Sequence, residues 1–220
     1  MADSAHLLVT EEPRFCGIVD DLAYRFEGIF SRETVTVYVQ ESYDLLAAHA
    51  TVTDFLPVLT GRFASERLAA AARLDGVPPE GIPEVLFLCV HNAGRSQMAA
   101  ALTQQMSAGR VHVRSAGSEP GGTINPLVTE AMAEVGIELT EAFPKPLTND
   151  VVRASDVIVT MGCGDACPVY AGKRYLDWDL PDPAGLPLEQ IRRIRDQIAQ
   201  RVLDLLTELI PVEQPVTPRG

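Results

Sequence analysis

The stretch Val85-Leu86-Phe87-Leu88-Cys89-Val90-His91-Asn92-Ala93-Gly94-Arg95-Ser96-Gln97 decides how this chain folds and where its chemistry sits. Residues 85–88 form a short unbroken apolar run, the pattern of a strand buried on both faces, and Gly94 opens the turn into the helical stretch that follows. A strand that ends in Cys and turns into a helix N-terminus aims consecutive backbone N–H groups at one point. That nest, with the helix dipole, favours a bound anion and a thiolate at Cys89. Arg95 adds a planar, permanently charged fork that grips two oxygens of a tetrahedral oxyanion, and Ser96 places a hydroxyl within reach of the sulfur. A Cys at the end of a buried strand can equally be inert packing. The Cys-x5-Arg-Ser spacing with its internal Gly, set between strand and helix, makes Cys89 a nucleophile instead and makes Val90, His91, Asn92, Ala93, Gly94 and Arg95 its oxyanion cradle.

Around this loop the chain divides. Residues 75–83, Asp-Gly-Val-Pro-Pro-Glu-Gly-Ile-Pro, are dense in helix breakers and separate two regions of different periodicity. The expected organisation is an N-terminal three-helix domain over 1–75, a linker over 76–83, a catalytic domain over 84–212 and a flexible tail over 213–220. Upstream, helices are expected at about 13–29, 32–49 and 53–74, with Ser31 and Thr53 as N-caps. Val35, Val39, Leu46, Leu56, Leu59 and Phe63 recur at helical spacing, more apolar face than a bundle of this size buries by itself. A homodimer through these helices is therefore expected, each Cys89 site remaining complete within one chain. Downstream, strands at 84–89, 111–115, 156–161 and 174–178 alternate with helices at about 96–107, 125–135, 148–153 and 187–210. The fold class is α/β: a four-stranded parallel sheet flanked by helices and preceded by a small all-α bundle. Ligands of such sheets bind outside the strand C-termini, where Cys89, Ser115, Cys163 and the loop after Trp178 all fall.

That last loop, Asp179-Leu-Pro-Asp182-Pro-Ala-Gly, carries carboxyls. Breaking a bond from the central atom of an oxyanion to one of its oxygens requires a proton on the departing oxygen, and Asp182, fixed between Pro181 and Pro183, is the expected general acid in preference to Asp179. Cys163 and Cys167 flank Gly164-Asp165-Ala166. Zinc sites supply four ligands, and no second Cys/His pair has suitable spacing here, so no metal is expected. The remaining readings are two buried cysteines or a redox pair. In the second, a nearby thiol attacks a sulfur adduct at Cys89 and releases a reduced product.

Composition sets the context. The 220-residue chain is 46% hydrophobic, enough to bury a core, and carries a net charge of −12 with no basic patch, which argues against nucleic acid and anionic membrane as partners. No apolar stretch reaches the roughly 20 residues of a membrane span, and residues 1–13 lack the basic flank and apolar run of a secretory signal. A cytoplasmic protein is expected, and its four dispersed cysteines then point to chemistry rather than to a disulfide scaffold.

From about 84 to 210 the chain resembles the low-molecular-weight tyrosine phosphatase superfamily, through Cys89-x5-Arg95-Ser96, the Ser115-Ala116-Gly117 strand end and Asp182-Pro183. Within it, Arg95-Ser96-Gln97-Met98-Ala99, the Cys163/Cys167 pair and Asp182-Pro183-Ala184-Gly185 resemble the thioredoxin-coupled arsenate reductases. Family phosphatases typically have tyrosines after the Asp-Pro, where this chain has Ala184 and Gly185. The helical region resembles an extension of some actinobacterial relatives, associated there with dimerisation. The resemblance implies that Cys89 attacks arsenate, that Cys163 then attacks the Cys89–arsenic adduct to release arsenite, and that Cys167 displaces Cys89. A Cys163–Cys167 disulfide is thereby left for thioredoxin, and no cofactor is required. Only three residues separate Cys163 from Cys167, fewer than is usual in those reductases. Ala100 stands where they tend to have a Glu that contributes to a potassium site with the loop Asn, so that site is not carried over. The alternatives are a phosphotyrosine or small-molecule phosphatase in which the pair protects Cys89, a mycothiol- or glutaredoxin-coupled reductase, and a non-catalytic redox sensor.

Overall fold

The structure, a computed structural model, describes residues 12–50, 53–77, 81–162 and 167–210. The expected tail over 213–220, part of the linker and Cys163 lie outside the described residues. Three helices come first: α1 (Pro13–Arg25), α2 (Arg32–Ala47) and α3 (Leu56–Leu74). Pro13 opens α1, where its missing N–H costs nothing. The Ser31 hydroxyl caps α2 by accepting from Thr34 N at 3.2 Å. Helix α1 ends short of the expected 29, with Gly28 at φ +78° in the left-handed region. Thr53 is not the cap of α3. The N-cap is Phe55, and Pro57 occupies the first turn. With Thr53 as cap, Pro57 would fall at the first position whose N–H must bond the cap carbonyl, a bond proline cannot make.

The remaining chain alternates strand and helix: β1 (Glu84–Cys89), α4 (Arg95–Ser107), β2 (His112–Gly117), α5 (Pro126–Ala133), α6 (Asn149–Ala154), β3 (Val157–Met161), β4 (Arg174–Asp177) and α7 (Leu188–Leu209). The four strands form one parallel sheet in the order β2-β1-β3-β4. All six residues of β1 are buried, which is why its sequence reads as a continuous apolar run rather than an alternation. Val85, Phe87 and Cys89 point into one core with Met98 of α4, Met132 of α5 and Ile191 and Ile198 of α7. Leu86 and Leu88 point the other way, into a core completed by Val152 of α6, Ile158 of β3 and Ala70 of α3. A helix of the N-terminal domain thus covers part of the second sheet face.

Most of the apolar surface of the helical domain is buried within the chain. Phe15, Val19, Val35, Val39 and Leu68 form the centre of the bundle, while Leu46, Leu56 and Phe63 pack with Phe143 of the catalytic domain, and Leu59 lies against them partly buried. The surplus assigned to a dimer partner from sequence is largely occupied by Phe143 and the sheet. Ion pairs reinforce the contact: Arg67 with Asp150 at 2.9 Å, Arg73 with Asp156 at 2.7 Å and Lys145 with Glu66 at 2.7 Å. Among the described residues, no helix is long and apolar enough to cross a membrane.

Candidate active site

Strand β1 delivers Cys89 at its last position, between Gly117 of β2 and Met161 of β3. The side chain is only 2% exposed. The loop that follows is tied outward by its carbonyls: Cys89 O, Val90 O, His91 O and Ala93 O accept from Ser118 N, Glu119 N, Gly121 N and Asn125 N at 2.8–3.1 Å. With its carbonyls engaged on the outside, the loop turns N–H groups inward, and Asn92 N donates to Cys89 Sγ at 3.3 Å. Ser96 Oγ lies 3.0 Å from the same sulfur. Two of the polar partners named from sequence logic, the loop backbone and the Ser96 hydroxyl, therefore converge on one sulfur at the N-terminus of α4.

Asn92 holds the loop from inside. It is fully buried and adopts φ +48°, a conformation that asparagine tolerates better than most residues. Its carboxamide donates to Ser96 Oγ at 2.8 Å and accepts from Gln97 Nε2 and from Lys145 N, both at 2.9 Å. Gln97 Nε2 also reaches Asn92 O at 3.1 Å and Phe143 O at 3.0 Å. Asn92 is thus a member of the cradle through its backbone and a brace through its side chain.

Arg95 is buried, with its guanidinium between Leu180 O at 3.3 Å and Asp182 Oδ2 at 2.5 Å. Asp182 is fixed a second time, its Oδ1 accepting from Ala184 N at 2.9 Å. Cys89, His91, Ala93, Gly94, Arg95, Asn125, Asp182, Pro183 and Ala184 enclose a cavity of about 50 Å³. Val90 is not in its lining; it contributes the carbonyl bonded to Glu119. Asp179 is also outside the lining, its carbonyl accepting from Arg201 on the surface. Close approach at Gly94 makes the enclosure possible, since a Cβ there would stand 2.5 Å from Pro183 Cγ. At Gly117 a Cβ would meet Val90 O at 2.7 Å, so the strand end must also be glycine for the loop to fold back over it.

The cysteine pair is placed less completely. Gly162, immediately before Cys163, has φ +74°, and a Cβ on it would be 2.9 Å from Arg95 Nη1, so the chain passes directly behind the arginine. Cys163 lies outside the described residues. Cys167 is partly buried and packs against the Leu86–Leu88 core, on the sheet face opposite the one that receives Cys89. The described residues do not bring Cys167 to the cavity.

Two residues of the site escaped the sequence reading. Asn125 caps α5 by accepting from Leu127 N at 3.0 Å, bonds Ala93 O through its own N–H at 2.9 Å, and sends Nδ2 to Pro183 O at 3.4 Å. It thereby links the cradle to the acidic loop. The Asn125-Pro126 pair is readable as a helix start, but nothing local announces the bridging. Lys145, flanked by two prolines, carries no local signature of contact with Asn92.

Comparison with known proteins places this architecture. A putative arsenate reductase from Halobacterium salinarum is 38% identical over 130 residues, covering 57% of this chain and 92% of its own length. A glutaredoxin arsenate reductase from Synechocystis is 33% identical over 129 residues, covering 57% of this chain and 98% of its own. The solved structure of a thioredoxin-dependent arsenate reductase from Corynebacterium glutamicum superposes with a TM-score of 0.79 at 46% identity, over 88% of this chain and 95% of that one. Residues 17–72 match the N-terminal domain of protein-tyrosine-phosphatase-like proteins. Residues 84–214, more than half of the sequence, match the low molecular weight phosphotyrosine protein phosphatase family, and the chain belongs to that family.

Proposed function

We propose that the protein is an arsenate reductase whose oxidised form is returned by thioredoxin. The observation that carries this reading is the Cys89 sulfur at the floor of a small cavity, in contact with Asn92 N and Ser96 Oγ and facing Arg95 and Asp182. The similarity to arsenate reductases supports the substrate, and the thioredoxin dependence of the Corynebacterium glutamicum relative, alike over both domains, favours thioredoxin as the reductant.

In this mechanism the cradle N–H groups and Arg95 hold the arsenate oxygens, and the Cys89 thiolate attacks arsenic. Asp182 protonates the oxygen that leaves as water, giving a Cys89–S–As(V) adduct. The Cys163 thiolate attacks Cys89 Sγ. The S–As bond breaks, its electron pair stays on arsenic and arsenite departs, leaving a Cys89–Cys163 disulfide. Cys167 attacks Cys163 Sγ and frees Cys89 as thiolate, and the Cys163–Cys167 disulfide takes two electrons from the dithiol of thioredoxin. Gly162, the residue before Cys163 in the chain, lies against Arg95, which supports Cys163 as the first resolving thiol. No metal or organic cofactor has a role.

The deciding assay follows NADPH oxidation on adding arsenate, with thioredoxin and its reductase in one arm and glutaredoxin with glutathione in the other. Arsenate-dependent oxidation in the first arm is expected. Turnover in the glutaredoxin arm alone would replace the reductant, and no turnover in either arm or in a third arm supplied with mycothiol would reject the reaction. A phosphatase would use Cys89, Arg95 and Asp182 in the same way with water completing turnover, but Ala184 stands at the cavity rim and presents no aromatic wall for a phosphotyrosine ring.

A further inference from the structure

Segment 141–147, Glu-Ala-Phe-Pro-Lys-Pro-Leu, runs between the helical domain and the catalytic loop and is bonded to both. On its inner edge Phe143 O accepts from Gln97 Nε2 at 3.0 Å and Lys145 N donates to Asn92 Oδ1 at 2.9 Å. Pro144 and Pro146 have no N–H, so Lys145 supplies the single backbone donor of residues 144–146, and it goes to Asn92. Gly117 N donates to Lys145 O at 2.8 Å and Leu147 N to Gly117 O at 2.9 Å, which lays the segment along the end of β2.

On its outer edge the segment meets α3. Lys145 Nζ sits 2.7 and 3.0 Å from the two carboxylate oxygens of Glu66. Arg62 Nη2 donates to Glu141 O at 2.7 Å. The Phe143 ring is buried with Leu46, Leu56 and Phe63, and the Arg62 guanidinium lies 5.2 Å from its centroid. Arg114 of β2 donates to Glu66 O at 2.7 Å and fixes that turn of the helix.

We infer that segment 141–147 is a strap through which the helical domain holds the catalytic loop in register, with Glu66 and Lys145 as its positioning residues. The inference rests on the Cys89 loop being the reaction centre, as proposed above. A buried carboxamide holds its orientation only while its partners stay in place, and Asn92 Nδ2 passes that orientation to Ser96 Oγ at 2.8 Å, which in turn lies 3.0 Å from the Cys89 sulfur. Releasing Lys145 from Glu66 lets its backbone N–H drift from Asn92, and the Ser96 hydroxyl drifts from the nucleophile. The Arg67–Asp150 pair crosses the same domain contact at 2.9 Å, and the other polar partners of Arg67 are Ser42 and Glu41 rather than residues of the strap, so it provides a matched control.

The test uses the full-length protein and two readouts that do not depend on arsenate reduction: the rate at which iodoacetamide alkylates Cys89, mapped by peptide mass spectrometry, and the concentration of inorganic phosphate that halves this rate. Glu66→Gln should slow alkylation about threefold and raise the protecting phosphate concentration about fivefold, the scale expected of a sub-ångström misplacement. Asp150→Asn should lower the melting temperature comparably and leave both readouts within about twofold of the parent. The charge swap Glu66→Lys with Lys145→Glu should recover both. The strap is overturned if Glu66→Gln changes only the melting temperature, if Asp150→Asn moves the readouts equally, or if the swap recovers neither. Should phosphate fail to protect the parent protein, the oxyanion reading fails, while alkylation without phosphate still decides the strap.

Discussion

Gly94 has room for a hydrogen and nothing larger, because Pro183 of the acidic loop lies where a side chain would begin. Gly94→Ala must therefore push Pro183 and Asp182 away from the cradle. The expected result is a loss of about 10²-fold in kcat with little change in the fold, as misplacing a catalytic group by about 1 Å produces; circular dichroism beside the arsenate assay checks both halves. Cys89→Ser should abolish turnover and leave the melting temperature near that of the parent, since a hydroxyl is a far weaker nucleophile than a thiolate at neutral pH. Retained arsenate reduction in that variant would sink the mechanism. Arg95→Lys removes the planar fork and with it the paired contacts to Leu180 O and Asp182. An ammonium cannot reproduce that geometry, so near-parent activity there would exclude Arg95 from the anion site.

At the scale of elements, the sheet explains why the site forms where it does. Strands β1, β2 and β3 end at Cys89, Gly117 and Met161 in adjacent register, and the segments that leave β1 and β2 supply the cradle and its outer hydrogen-bond partners, while Gly162 after β3 lies against Arg95. The order of the relay is testable on the last of these segments. Cys163→Ser should stall with arsenic on Cys89, and Cys167→Ser should accumulate a Cys89–Cys163 disulfide that peptide mapping identifies. If both variants turn over with thioredoxin at the parent rate, an external thiol resolves the adduct and the three-cysteine scheme is wrong. Cys167 packs on the opposite sheet face from Cys89, so the relay as proposed requires Cys167 to leave that core and bring its sulfur into contact with Cys163 Sγ.

At the scale of the whole molecule, the helical domain packs on one face of the sheet and on Phe143. Ala70 of α3 packs in one core with Leu86, Leu88 and Ile158, and Phe63 of α3 packs with Phe143. Deleting residues 1–80 should expose this sheet face and yield an aggregating or inactive fragment, to be read by light scattering and the arsenate assay. A soluble, fully active fragment would contradict it. Phe63→Ala, at the domain contact, should cost about 3–5 kcal/mol in a denaturant titration. We also propose a homodimer, now resting on Phe55 and Val58, which are 67% and 62% exposed at the start of α3. Sedimentation equilibrium showing a monomer at micromolar concentration would reject it.

Elements whose signals are local were legible from the order of residues alone. The apolar run before Cys89, the glycine at 94, the arginine one residue later and the Asp182-Pro183 turn each act within a few residues of chain, so the parallel sheet and the loop from β1 into α4 could be read from them directly. Helix ends were read less well where proline and left-handed glycine outweigh periodicity, as at Pro57 and Gly28. Only the tertiary structure decided what the loop leans on. Asn92 meets Lys145, Asn125 meets Pro183, and Lys145 meets Glu66 across 53, 58 and 79 residues of chain. Such pairs leave no periodic trace, since a lone lysine between prolines looks the same whether it faces water or a buried carboxamide. The fate of the surplus apolar helix faces was equally hidden: hydrophobic patterning states that a face must be covered, and only the packed molecule shows that Phe143 and the sheet cover most of it.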